Sequence, residues 1–365
     1  MPCKIKCLAP NKTLEGSLIP EKTSIFGNIE VERVNLDHND LFKIAPFRFY
    51  KEIIINKKIF LKKALKENFE IIHGHNMSPY GQYALKISNE TNKPFIFEIH
   101  YADKLSNLGI VPNLYEKYLL EVLKILEKSE QIITLTNALK QNIQTNYNID
   151  PDKIKVVPNG VDISKFKKIE SENSEINKLK TNLNLSNNVF MYAGLMDELN
   201  GVLDIIEILP SLINEVPEIS FIFIGPGPLK KEIIQLSKKY SQIRYIPTVP
   251  YEQMPLYYQL CDNFIIPRPS SPSAETIIPL KLLEAMAMER VVLGSNVGGI
   301  SELINDGNNG YLFEKGNKED LFDSLINILN SNQKKLGKKA RKTVERDYTW
   351  DKSALKLKKI YDKTV

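Results

Sequence analysis

The sequence predicts an α/β protein of two domains, each built on a parallel sheet covered by helices on both faces. Three observations carry this expectation. Short β-branched apolar runs recur along the chain, helix-period stretches lie between them, and the alternation occurs twice with a polar gap in the middle. A strand inside a parallel sheet is buried on both faces, so it reads as a continuous apolar run rather than an alternating one. A length of 365 residues suits two domains better than one core.

In the first half the expected strands are FEIIHGH (69–75), PFIFEIH (94–100), QIITLT (131–136) and KIKVVP (153–158), with helices at about 79–90, 114–128 and 137–146. Only about twenty residues separate Pro10 from IEVERVNL (29–36), with no convincing helix between them. In the second half the strands are VFMYAG (189–194), ISFIFIG (219–225), NFIIP (263–267) and VVLGS (291–295). Residues 167–188 are polar with scattered apolar positions, which predicts a surface excursion. The boundary is placed near Pro158, giving domains 1–157 and 158–346. A terminal amphipathic helix (347–365) is expected to make apolar contacts through Trp350, Leu355, Leu357 and Ile360. That helix either caps the second domain or crosses back to the first.

Composition narrows the function classes. The 49 basic and 44 acidic side chains leave a formal charge of only +5, too small and too dispersed to predict a nucleic-acid partner. Three cysteines, Cys3, Cys7 and Cys261, cannot form a paired framework and point to a reducing compartment. The start, MPCKIKCLAP, lacks the apolar core of a signal peptide, and no apolar run approaches the roughly 18 residues that span a bilayer. The expectation is a cytoplasmic protein whose membrane contact, if any, is peripheral at the inner face. Residues 51–66 combine six lysines with a set of isoleucines, leucines and a phenylalanine. They read either as a basic amphipathic helix on an anionic membrane or as a domain helix with a solvated lysine face.

Ligands of open parallel sheets bind outside the carboxyl ends of the strands, so the chemistry is sought in the loops after them. Residues 262–304 are the most informative. A buried strand ends at Pro267, and a polar loop with Arg268 and Glu275 follows. A helix starts near Pro279 and brings Lys281 and Glu284 onto one turn. Then come VVLGS and a Gly298-Gly299 turn that opens another helix at Ile300. Glycines before a helix let backbone N–H groups approach a phosphate. Arg268 and Lys281 could neutralise a diphosphate, and the Glu284 carboxylate could accept the two hydroxyls of a ribose. The structural alternative is a solvated Lys281–Glu284 pair beside glycines that only turn the chain. The residues alone leave both open.

PLKLLEAMAMERVVLGSNVGGISELINDGNNGYLF resembles the donor-site signature of the family 4 retaining glycosyltransferases of the GT-B fold, in a variant branch with a TPLK-like motif. PNGVD (158–162), MYAGLMDELNG (191–201), FIFIGPGP (221–228) and CDNFIIPRP (261–269) follow in that family's order, and IIHGH (71–75) and FEIH (97–100) resemble its N-terminal domain. The resemblance implies two Rossmann-like domains facing across a cleft. It implies a donor, a UDP- or GDP-linked sugar, with no cofactor and no metal, and a glycan or lipid-linked acceptor in surface polysaccharide or glycoconjugate synthesis.

It also implies roles. Glu284 would hold the ribose, Asn159 and Gly160 would lie beside the donor, and Gly194 would let the chain pass close to the diphosphate. TVPYEQM (248–254), with Val249, would read the base, and His100 would stand near the transferred sugar. From the residues' own chemistry rather than the resemblance, Lys281 and Arg268 are the candidates to stabilise the leaving diphosphate, together with the Gly298–Gly299 turn.

Three departures stand out. The family's two glutamates are separated by seven residues, whereas Glu275, in the role of the sugar-binding catalytic carboxylate, and Glu284 have eight between them, which puts Thr276 at the expected place. The family's basic pair aligns with Leu195 and Asn200, so its charge must come from elsewhere. The usual opening strand and first helix are missing or reduced. These departures keep a second reading alongside the hexosyltransferase: a catalytically inactive, nucleotide-sugar-binding scaffold.

Weaker patterns remain. Asp150-Pro151-Asp152 has the spacing of a metal-binding triplet but reads as a turn. His73 and His75 alternate onto one face of a strand, near His100, without an evident acidic partner for a zinc site. GPGP (225–228) reads as a turn, since proline supplies no N–H to a phosphate.

Overall fold

The computed structural model describes residues 5–10, 23–26, 29–34, 57–76, 80–100, 112–169 and 174–365. The chain forms two compact units. The first comprises Met1–Ile99, Gly109–Ile133 and Tyr361–Val365, and the second His100–Leu108 and Thr134–Ile360.

Among the described residues, the first unit opens with β1 (Ile5–Pro10), β2 (Thr23–Phe26) and β3 (Ile29–Val34) in the order β1-β3-β2. β1 runs parallel to β3 and β2 antiparallel to it. β2 was not expected from the sequence; its four residues, TSIF, are too few to show a period. There follow α1 (Lys57–Ala64), β4 (Ile72–His75), α2 (Gln82–Thr91), β5 (Phe95–Ile99), α3 (Pro112–Lys128) and β6 (Gln131–Thr134). Phe95, Ile96, Phe97 and Ile99 are all buried, as the continuous apolar run requires of a strand covered on both sides.

The first six residues of the lysine-rich segment lie outside the described residues. In the remainder, Phe60 and Ala64 are buried, and the Phe60 ring packs 5.1 Å from Tyr83 of α2. Lys58, Lys62 and Lys66 form the exposed side. The apolar face of α1 is therefore used by the fold, and a row of lysines is what it presents outward. No helix of the described residues is long and apolar enough to cross a membrane.

The second unit begins with α4 (Asn137–Tyr147) and β7 (Ile154–Val156), then α5 (Ser174–Leu183). Its main sheet comprises β8 (Asn188–Ala193), β9 (Ile219–Ile224), β10 (Ile243–Ile246), β11 (Asn263–Ile266), β12 (Val291–Ser295) and β13 (Tyr311–Phe313). The strand order is β10-β9-β8-β11-β12-β13, and every pair is parallel. Alternate residues feed separate cores. Val189, Met191 and Ala193 point into one, with Phe264 and Ile266, while Phe190 and Tyr192 point into the other, with Phe221, Phe223 and Ile265. Strand order reverses between β8 and β11, so the crevice beyond their carboxyl ends is the switch point at which such sheets bind ligands.

The connecting helices are α6 (Val202–Glu215), α7 (Lys230–Lys239), α8 (Met254–Leu260), α9 (Pro272–Thr276), α10 (Leu280–Ala287) and α11 (Gly298–Ser301). α12 (Lys318–Leu329), α13 (Gln333–Asp347) and α14 (Trp350–Thr364) complete the chain.

Four expectations need correction. The polar stretch 167–188 is more than a surface excursion, because α5 buries Ile176 and packs Leu179 and Leu183 on the core at helical spacing. Glu275 lies on α9 rather than in a loop: the Ser271 hydroxyl caps this helix, accepting the Ala274 N–H at 3.1 Å. Gly298 and Gly299 form the first turn of α11 instead of preceding it. On α14, Trp350 and Leu355 are exposed and the buried positions are Ser353 and Ile360. The Ser353 hydroxyl donates to the Pro158 carbonyl at 2.6 Å, so a polar contact takes the place expected of the tryptophan.

Candidate functional site

The loop after β8 is shaped by glycines at two close approaches. Gly194 adopts φ +140°, and a Cβ there would lie 3.0 Å from the Lys281 ammonium. Gly201 adopts φ +75°, and a Cβ there would lie 1.6 Å from the Pro267 carbonyl oxygen, which only glycine permits. The loop is thus folded against the end of β11, where Arg268 emerges. Asp197 pins it by accepting both the backbone and the side-chain N–H of Asn200 on one oxygen, at 2.8 and 2.7 Å.

Lys281 stands in the first turn of α10, whose N-terminal boundary is fixed by Pro279. Its Nζ donates to the Ala193 carbonyl at 3.2 Å and lies 4.5 Å over the Tyr192 ring. Lys281 and Arg268 make no ion pair among the described residues. Burial first, and then the neighbouring Arg268 charge, lower the Lys281 pKa to about 8 against the pull of Asp197 and Glu284. Burial likewise lowers Arg268. Two half-buried cations that repel each other, with Asp197 attracting both but no carboxylate in ion-pair contact among the described residues, are costly unless an anion joins them. Leu195 and Asn200, where a basic pair was looked for, supply none of this charge; Leu195 is exposed and Asn200 is tied to Asp197.

One turn along α10, Glu284 is buried. The Tyr251 hydroxyl donates to its Oε1 at 3.0 Å and the Tyr258 hydroxyl to its Oε2 at 2.9 Å. Both rings lean on Phe166, with centroids 5.7 and 6.0 Å away, and Lys165 Nζ sits 3.8 Å from the Tyr251 centroid. Burial raises the Glu284 pKa, opposed by the two tyrosine hydrogen bonds and by Lys165 and Lys281. Each carboxylate oxygen retains a lone pair after accepting one tyrosine, so the group is rigid and still able to accept two hydroxyls. This is no solvated helix pair.

Glu275 has its oxygens engaged. Oε2 accepts the Gly298 N–H at 2.7 Å, and Oε1 accepts Lys315 and the Ser270 hydroxyl, both at 2.6 Å. Gly298 therefore gives its N–H to Glu275, while Gly299 is packed so tightly that a Cβ would meet the Ile277 carbonyl at 2.0 Å. Thr276 is buried; its hydroxyl donates to the Pro272 carbonyl at 2.7 Å, and its own carbonyl accepts Thr136 at 2.6 Å. These four residues form one braced turn. Asn159 and Gly160 lie in the loop after β7, where a Cβ on Gly160 would come within 2.3 Å of the Trp350 nitrogen. Val249 packs partly on the core of the second unit, and His100 is partly buried just beyond β5.

Family models decide what this arrangement belongs to. That for Glycosyl transferases group 1 matches residues 173–343, and that for Glycosyltransferase Family 4 matches residues 27–165. The chain belongs to the family 4 glycosyltransferases.

As expected of a group 1 glycosyltransferase, its fold is GT-B. Sucrose-phosphate synthase from Thermosynechococcus elongatus superposes with a TM-score of 0.76 at 17% identity, covering 99% of this chain and 88% of that one. Anabaena HepE in complex with UDP gives 0.70 at 18% identity, covering 91% and 85%. An uncharacterized glycosyltransferase of Methanocaldococcus jannaschii is 24% identical over 338 residues, 91% of this chain and 86% of its own length.

Sequence reading brought Lys281, Glu284, Arg268 and Gly194 to one crevice and missed the tyrosines that set it. Nothing in the sequence around Tyr251 or Tyr258 shows that its hydroxyl meets the Glu284 carboxylate, or around Tyr192 that its ring lies under Lys281.

Proposed function

We propose that this glycosyltransferase moves a sugar from a uridine or guanosine diphosphate donor to a glycan or lipid-linked acceptor, with retention at the anomeric carbon and without a metal. The carrying observation is the pair of half-buried cations Lys281 and Arg268, neither in ion-pair contact with a carboxylate among the described residues, with Lys281 one helical turn from a Glu284 carboxylate already held by two tyrosines. Lys281 and Arg268 take the diphosphate, Glu284 takes the ribose hydroxyls, and the Val249 loop meets the base. Asn159 and Gly160 line the donor, and His100 faces the transferred sugar. The UDP bound to HepE supports the uridine form.

Chemically, the bond between the anomeric carbon and the diphosphate oxygen breaks as the acceptor oxygen attacks from the same face. The acceptor's proton passes to the departing phosphate oxygen. Charge builds on the leaving group, so fixed cations there lower the barrier more than a nucleophile would. Glu275 serves by bracing the turn at Gly298, with Thr276 locked behind it. The row of lysines on α1 offers an electrostatic contact with anionic lipid, in keeping with a lipid-linked acceptor in surface polysaccharide synthesis at the inner face of the membrane.

The test is incubation with radiolabelled UDP- and GDP-sugars plus a membrane extract. Label moving into lipid or polymer supports the transferase. Nucleotide binding without transfer supports the inactive scaffold instead.

A further inference from the structure

We propose that His73, His75 and Glu98 form a binding site for a divalent transition-metal ion, with zinc the ion they suit. The sequence placed the two histidines on one face of a strand but offered no acidic partner; the fold supplies it. Glu98 of β5 lies in register opposite His75 of β4. Its carboxylate oxygens are 3.4 Å from His73 Nε2 and 3.6 Å from His75 Nδ1, and the two imidazole rings stack with centroids 4.3 Å apart. One ligand atom from each residue lies within 4.8 Å of the other two.

Zinc bound at roughly 2.0–2.2 Å to imidazole nitrogen and carboxylate oxygen, with tetrahedral angles, keeps its ligands about 3.3–3.6 Å apart. Both His–Glu separations fall at that spacing, and the two histidine nitrogens lie within 4.8 Å of each other, so a shared ion draws the imidazoles together. The other ring nitrogen of His73, Nδ1, is 2.6 Å from the Tyr361 hydroxyl. Metal-bound histidines are commonly oriented in this way by a partner on the far nitrogen. His73 and Glu98 side chains are 12% and 13% exposed and that of His75 51%, so the ion is held from within and faces solvent on one side. Two histidines and one carboxylate with an outward-facing position is a zinc donor set that leaves room for water. None of these residues belongs to the donor site proposed above.

The full-length protein, stripped with chelator, is titrated with zinc chloride against a chromogenic zinc indicator. The wild type is expected to take up one equivalent. His75→Ala and Glu98→Gln are each expected to weaken binding at least 10-fold, and Tyr361→Phe about 10-fold, the scale seen for outer partners of metal ligands. X-ray absorption of the zinc-loaded wild type reads the ligands without any variant, and nitrogen and oxygen alone are expected. Failure of the wild type to bind zinc, equal binding by His75→Ala and Glu98→Gln, or sulfur among the ligands overturns the assignment.

Discussion

Tyr258 and Glu284 form the buried pair at the base of the candidate donor site: the phenol donates to the carboxylate at 2.9 Å, Tyr258 is fully enclosed, and Glu284 keeps only 8% exposure. Tyr258→Phe deletes one donor and leaves Glu284 underpaired. An unsatisfied buried acceptor costs about 1–3 kcal/mol. Chemical denaturation should show a loss of that order, with a smaller loss for Tyr251→Phe, whose ring is half exposed. Nucleotide affinity should fall in both variants because the carboxylate is no longer held in place.

Lys281→Ala should separate binding from folding. A charged hydrogen bond contributes about 1.5–3 kcal/mol, so UDP affinity should drop roughly 10- to 150-fold. Stability should hold or rise, since the variant relieves the repulsion with Arg268. Calorimetric titration beside a thermal melt reads both, and unchanged affinity would remove Lys281 from the site.

The pH dependence has a defined sign. Lys281 titrates near 8 in the folded protein and at its ordinary 10.5 when unfolded. Between those values the unfolded chain binds more protons, so the contribution of this residue to stability increases with pH across that window. Diphosphate binding favours the protonated amine, so UDP affinity should decline above pH 8. Isotherms between pH 7 and pH 9.5, in about 0.15 M salt to hold screening constant, test the second trend; Lys281→Ala should flatten it.

Gly201→Ala forces a methyl to within 1.6 Å of a backbone oxygen at a positive φ. No side chain can rotate out of that contact, so the loop after β8 must move. A loss of at least 2 kcal/mol is expected, together with loss of nucleotide binding. Gly307→Ala, with nothing nearby and a comparable φ of +66°, serves as the control for backbone strain alone and should cost about 1 kcal/mol.

The strands of both units were legible because buried parallel strands are continuous apolar runs, and β8, β9, β11 and β12 were each placed to within a residue or two. The edge strands β10 and β13 were missed, since IRYI and YLF are short and only half buried. α5 was hidden by its lysines and asparagines, although Ile176, Leu179 and Leu183 have helical spacing. Lys281 and Glu284 were legible through their one-turn spacing. What lay beyond sequence reading was pairing across distance: Glu275 with Lys315, Tyr251 with Glu284, His75 with Glu98. Each joins residues from separate elements, and only the strand order brings them together.

The most direct measurement is a crystal structure of the protein soaked with UDP or GDP. The account predicts the ribose hydroxyls on the Glu284 carboxylate and the diphosphate between Lys281 and Arg268, beyond the ends of β8 and β11. A nucleotide found elsewhere, with Lys281 still on the Ala193 carbonyl and Glu284 untouched, would contradict it.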